Sequence, residues 1–312
     1  MNYSVKIYSR IGELIQGVLP DRSSFLVSGF PSGTLYSEAS LEDRRGHCED
    51  EAAHRENEVA YREGEAAYVE LPAKTRQALS LLMQAYAQRA NPPVDPLAGK
   101  SVRLHSNIPP GKGLSSSSAD VLSVLCVVND YLQAGFGPED LYRFAARVEP
   151  TDPCLSSDIV LFKQQLGITV TNICLPPLSL LYFDAAPDRQ VDTLGLQRVY
   201  PEEAPPFFDG LLRRFIQAVA EKDYSGLLDC VTGSAVYNQA ILALPGFDKY
   251  YRLAADSRAG LMVAHSGTII GLLTRPELAH PLRQKLERMA NRYHPAPVYL
   301  ENYFSPSTKV YA

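Results

Sequence analysis

Apolar and polar residues alternate through SVKIYSRIGELIQGVL near the start of the chain, the two-residue period of a half-buried strand, with a turn expected at Gly12. The next stretch, SSFLVSGFPSGTLYSEA, carries Pro-Ser-Gly between two strand-like pieces, which predicts a hairpin about that triplet. Over Ala73–Ala90 the period lengthens, and Leu79, Leu82, Met83 and Tyr86 fall at helical spacing. NPPVDPLAG breaks that helix and KSVRLHSNIP alternates as a strand. Residues 119–132 predict a buried helix ended by Gly135. GPEDLYRFAARVEP predicts another, with Pro138, Glu139 and Asp140 at its start and Pro150 stopping it.

Three strands are expected in SDIVLFKQQLGITVTNICLPPLSLLYFD. Mostly amphipathic helix follows in PPFFDGLLRRFIQAVAEKDYSGLLDCVTGSAVYNQAIL. AGLMVAHSGTIIGLLT predicts a strand, a tight turn, then a strand or helix. PELAHPLRQKLERMANRY is a helix and PVYLENYF a closing strand. Mixed strands first, then helices with strands, indicate an α+β chain of two subdomains, with a boundary near residues 165–190. The expected domains are residues 1–175 and 176–312. No internal repeat is present.

Composition narrows the partners. The 312 residues are 46% hydrophobic and 21% charged, an ordinary globular balance. With 30 basic and 35 acidic residues the net charge is −5, so nucleic acid is not an expected partner. Five cysteines, an odd number without a CxxC pair, support neither a disulfide framework nor a zinc site. Cys126 and Cys174 lie in apolar runs and are expected in the core. No signal-peptide stretch and no run of about 18 apolar residues is seen, so a cytoplasmic protein without a membrane partner is expected. The charged stretch 41–65 reads as a solvated loop or edge. A homodimer is left open.

One stretch carries chemistry. In NIPPGKGLSSSSAD, Gly111 and Gly113 allow the backbone to curl with N–H groups inward. The helix that follows leaves its first N–H groups unpaired and adds a partial positive charge. Together they form a cradle for phosphate, with serine hydroxyls available to phosphate oxygens or to Mg²⁺. A Walker loop is excluded, because Lys112 is followed by Gly113 rather than Ser or Thr. The plain alternative is a serine-capped helix after a glycine turn.

PPGKGLSSSSAD resembles the P-x-x-x-G-L-G-S-S-A loop of the GHMP kinases, the superfamily of galactokinase, homoserine kinase, mevalonate kinase and phosphomevalonate kinase. GELIQG (residues 12–17) is similar to the family's first motif, and VAHSGTIIGLL (263–273) to its C-terminal glycine-rich motif. With VEPTD, these stretches resemble the L-threonine kinase branch, whose members phosphorylate L-threonine for the aminopropanol linker of cobalamin. Ser115 stands where the family has Gly, Tyr8-Ser9 where it has Pro-Gly, and the acidic insert after Ser40 has no obvious counterpart.

The resemblance implies a two-domain GHMP fold, with an N-terminal domain of the ribosomal-protein-S5 type and a ferredoxin-like C-terminal domain. It also implies ATP and Mg²⁺ as cofactors and a small alcohol as substrate. Pro110, Gly111, Lys112, Gly113, Leu114, Ser115, Ser116, Ser117 and Ser118 would bind the nucleotide. Ser117 and Glu149 would bind the metal, with Ser116 the neighbouring alternative to Ser117. Asp152 would face the substrate hydroxyl, with Asp158 the competing carboxylate. Glu13, Gln16, His265, Ser266, Gly267 and Thr268 would surround the acceptor. Taken singly these residues have plainer explanations: Glu149 as a helix-end glutamate, Asp152 as an Asp-Pro turn former, Lys112 as a solvent-facing lysine. The expected activity is phosphorylation of an amino-acid hydroxyl, L-threonine first. The alternatives are a kinase for homoserine, serine or a sugar-like alcohol, and a catalytically silent ligand sensor.

Overall fold

A computed structural model of the chain describes residues 3–43, 71–90, 95–191, 198–293 and 297–304. The charged stretch expected as a loop falls almost wholly outside them, as does Cys48. Two long strands, β1 (Tyr3–Val18) and β2 (Ser24–Asp43), pair antiparallel. β1 alternates in exposure over its first six residues and is buried throughout its last ten, because its inner half lies between the two halves of the molecule.

The next elements are α1 (Ala73–Ala90), β3 (Lys100–Ser106), α2 (Ser116–Leu132), α3 (Pro138–Ala146), β4 (Ile159–Lys163) and β5 (Ile168–Ile173). The second half contains β6 (Leu178–Asp184), α4 (Ala204–Glu221), α5 (Tyr224–Ile241), α6 (Phe247–Asp256), β7 (Gly260–Val263), β8 (Ile269–Thr274), α7 (Pro276–Tyr293) and β9 (Tyr299–Tyr303). The strands form one sheet in the order β5-β4-β2-β1-β7-β8-β6-β9, with β3 also paired to β2. Where the two halves meet, the pairing of β1 with β7 is a single bridge, Glu13 to Val263. The site is built around that bridge.

The α+β class is as the sequence pattern implied. Two local expectations are corrected. The chain does not turn at Gly12, which takes φ +58 inside a continuous strand beside a register shift between Glu13 and Ile15. Nor does it reverse at Pro31-Ser32-Gly33. β2 runs on through the triplet with a register jump, and Glu301 of β9 accepts hydrogen bonds from Ser32 Oγ at 3.2 Å and Gly33 N at 3.1 Å. An apolar pattern cannot separate a bulge from a turn, since both interrupt alternation.

α2 starts at Ser116, three residues earlier than expected. Val121, Leu122, Val124, Leu125, Val127 and Val128 are all buried, and they pack against β1, β2 and α1. Gln133 ends it in the left-handed region at φ 50, followed by Gly135 at φ +70. α6 had no counterpart in the expected elements. Cys174 is exposed rather than in the core, and Cys126 is half-buried.

α4 and α5 close the junction. Phe208, Leu211, Phe215, Leu227 and Val231 meet Ile11, Leu14, Ile15 and Phe25 of the long hairpin in one apolar cluster. Phe208 is 1% exposed and meets Phe25 edge-to-face, so truncating it to Ala costs about 3–5 kcal/mol. Among the described residues no helix is long and apolar enough to cross a membrane.

Candidate active site

A cavity of about 290 Å³ opens where the serine loop, the inner end of β1 and the turn between β7 and β8 converge. The loop supplies Gly111, Gly113, Leu114, Ser115, Ser116, Ser117 and Ser118, and the start of α2 directs its unpaired N–H groups there. Two glycines fix the approach. A Cβ on Gly113, at φ +79, would lie 2.2 Å from Ala264 Cβ; one on Gly267 would lie 2.1 Å from the Lys112 carbonyl. The loop and the β7–β8 turn therefore touch backbone to backbone. Ser115 takes φ 56 and ψ 29, a left-handed conformation that favours glycine.

On one wall, Ser117 Oγ donates to Glu149 Oε1 and Lys74 Nζ to Glu149 Oε2. Glu149 follows α3, is 7% exposed, and has both oxygens engaged. The Ser117 hydroxyl and the Glu149 carboxylate are hard oxygen donors side by side at the cavity, a set that suits Mg²⁺ with waters and phosphate completing its shell.

Beside them in the same cavity, Asp152 accepts from Gln164 Nε2 at 3.0 Å and Ser118 Oγ at 3.5 Å, while its own N–H donates to Ser118 Oγ at 2.9 Å. Burial raises its pKa above the ordinary value, opposed by hydrogen bonds from Ser115 and Gln164. Behind it, Arg10 is 2% exposed and donates to Ser28 Oγ and to the carbonyls of Gly29, Ser156 and Asp158, fixing the 156–158 segment. Glu13 accepts from His265 N. Its pKa is raised well above normal, first by burial and then by the Asp152 charge. His265 is pushed well below its ordinary value by burial and by Arg198, so its ring is neutral at pH 7.

Arg198 donates to His265 O and, at 2.8 Å, to Asn238 Oδ1. Among the described residues its Nε is buried without a hydrogen-bond partner, as is His265 Nδ1.

Glu13, His265, Ser266, Glu149 and Asp152 thus reach the same cavity as the serine loop. Several expected residues do not. Pro110 is exposed and outside the lining. Lys112 Nζ turns to Asp184 at 2.8 Å and to three carbonyls. Asp158 Oδ2 accepts from Asn172 Nδ2 at 3.3 Å, away from the cavity. Gln16 Nε2 donates to Val263 O at 3.2 Å and braces the sheet. Gly267 and Thr268 lie behind the lining, where Thr268 N donates to Lys112 O.

Arg10, Lys74, Gln164 and Arg198 were missed by sequence reasoning. Arg10 and Lys74 sit in a strand and at a helix start, where a lone cation carries no signal. Arg198 in GLQRVYP belongs to no motif.

Residues 74–161, which include the serine loop, Glu149 and Asp152, match the family model of the GHMP kinases N terminal domain. Over that segment, which is less than half of the chain, the protein is similar to the GHMP kinases. An L-threonine kinase of Salmonella typhimurium is 26% identical over 203 residues, 62% of this chain and 67% of that protein. A homoserine kinase of Desulfitobacterium hafniense is 23% identical over 64% of this chain and 71% of the relative. The aligned regions thus span about two thirds of these relatives. Among solved structures, homoserine kinase from Cytophaga hutchinsonii superposes with a TM-score of 0.63, covering 97% of this chain and 95% of that one at 17% identity. That likeness is one of fold.

Proposed function

We propose that this protein is an ATP-dependent kinase that phosphorylates the hydroxyl of a small amino acid, L-threonine first. The observation that carries the proposal is that Asp152 and the serine loop share one cavity and are bonded to each other through Ser118. The amides of 111–118 and the start of α2 would cradle the triphosphate. Ser117 and Glu149 would hold Mg²⁺, which when bound neutralises phosphate charge. The acceptor O–H gives its proton to Asp152 as its oxygen bonds to the γ-phosphorus and the bond to ADP breaks.

Two further groups support an α-amino acid. Glu13 offers a buried carboxylate to an ammonium, and Arg198 offers a guanidinium with an orphaned Nε to a carboxylate. An acceptor lacking both charged ends would leave the Glu13 carboxylate without a cation and the Arg198 guanidinium without an anion, which disfavours neutral alcohols.

ADP release from Mg-ATP across L-threonine, L-homoserine, L-serine and a sugar alcohol tests this. L-Threonine is expected to give the highest kcat/KM. Turnover of homoserine alone would favour the second acceptor, which the D. hafniense relative supports. No turnover of any amino acid would overturn the proposal.

A further inference from the structure

A lysine between two glycines in a phosphate-cradling loop ordinarily neutralises phosphate. Lys112 is instead 8% exposed, and its ammonium is already enclosed by four oxygens. These are Asp184 Oδ2 at 2.8 Å and the carbonyls of Ala186 at 3.1 Å, Pro187 at 2.7 Å and Arg189 at 2.7 Å. Turning the ammonium toward a nucleotide would strip a charge-assisted set of bonds and strand Asp184.

The backbone adds to this junction. Val191 N donates to Gly111 O at 3.0 Å, Thr268 N to Lys112 O at 3.0 Å, and Ala185 N to Thr268 O at 2.9 Å. Three segments therefore meet at one residue: the serine loop, the β7–β8 turn, and residues 184–191 that follow β6. The β7–β8 turn also carries His265, whose carbonyl accepts from Arg198 on the acceptor wall.

We propose that Lys112 is a positioning residue that bolts residues 184–191 to the nucleotide loop, so that the acceptor wall and the phosphate cradle are held as one unit. The inference rests on the kinase reading of the cavity, and deepens it by moving Lys112 from phosphate binding to acceptor positioning.

Lys112→Met keeps the stem and removes the charge. Binding of Mg-AMPPNP by calorimetry should stay within about threefold of wild type, because the ammonium does not face the cradle. Amide hydrogen exchange across 184–191 should quicken at least about tenfold as local opening becomes easier. KM for L-threonine should rise about tenfold, with a smaller fall in kcat. Asp184→Asn should move exchange and KM the same way by less, and it carries the test if Lys112→Met does not fold. Lys112→Arg, which keeps a donor for the carbonyls, should restore part of the slow exchange. An AMPPNP affinity lowered tenfold or more with unchanged exchange would make Lys112 a phosphate ligand and overturn the proposal. If wild type binds no AMPPNP, the kinase reading fails instead, while the exchange measurement still decides whether Lys112 is the bolt.

Discussion

Two polar groups of the cavity, Glu149 and the pair Glu13 and Asp152, follow opposite electrostatic plans. Glu149 divides its oxygens between a hydroxyl and an ammonium, so its charge is matched within the fold. Glu13 and Asp152 take hydrogen bonds from neutral groups, both have pKa values raised first by burial, and sit near an arginine and a histidine that each keep a nitrogen unpartnered among the described residues. A matched group is completed by folding. An unmatched one costs stability and is completed by a ligand bringing the missing partners, which is why perturbed groups mark functional sites.

The sharpest way to break that contrast is Asp152→Ala. Turnover should fall about 10²–10⁴-fold, the usual worth of a general base, while AMPPNP affinity by calorimetry persists. In wild type the rate should drop with falling pH through a value above the ordinary carboxylate range, because burial raises Asp152. Near-normal turnover in the variant would remove Asp152 from the chemistry.

Lys74→Met probes the matched group. Loss of the cation that orients Glu149 should weaken Mn²⁺ binding in the AMPPNP complex about 10–100-fold, read by electron paramagnetic resonance. Equal Mn²⁺ affinity would mean that Lys74 is only a surface ion pair.

Glu13→Gln tests the cost of the unmatched pair. In the folded protein the carboxyl gives up its proton at higher pH than in the unfolded chain. Wild type therefore loses stability as pH rises from the ordinary glutamate value of about 4.3 through the raised folded value. The variant should melt higher than wild type at pH 7 and gain nothing below about pH 4. KM for L-threonine should rise about tenfold or more through the lost charged contact. A lower melting temperature at pH 7 would refute the strain.

Ser115→Gly is the smallest change. Relief of a left-handed serine should stabilise the protein by about 1 kcal/mol in urea unfolding. No gain would mean that Ser115's contact with Asp152 offsets its backbone cost.

Most elements were legible because their periods are local properties: β3, α1, α3 and the three strands of residues 159–184 follow from alternation, spacing and breakers. β1 and β2 were legible as strands but not in their pairing. Pro31-Ser32-Gly33 reads as a turn until Glu301, from the far end of the chain, is seen to hold it open. Within the site, the loop, Glu149 and Asp152 came from contiguous motifs. Arg10, Lys74 and Arg198 did not, since each acts through a partner remote in sequence.

The sequence by itself determined the glycine turn and the helix start that follows it, because glycines at 111 and 113 free the backbone to curl and the helix start at the serines leaves N–H groups unpaired. Only the tertiary structure decided what faces them. Lys112 turns from the cavity because Asp184 and three carbonyls enclose its ammonium. Glu13 enters because β1 meets β7 at that one residue. The direction of a long charged side chain is set by its oppositely charged or polar neighbours, and those arrive only when distant segments pack.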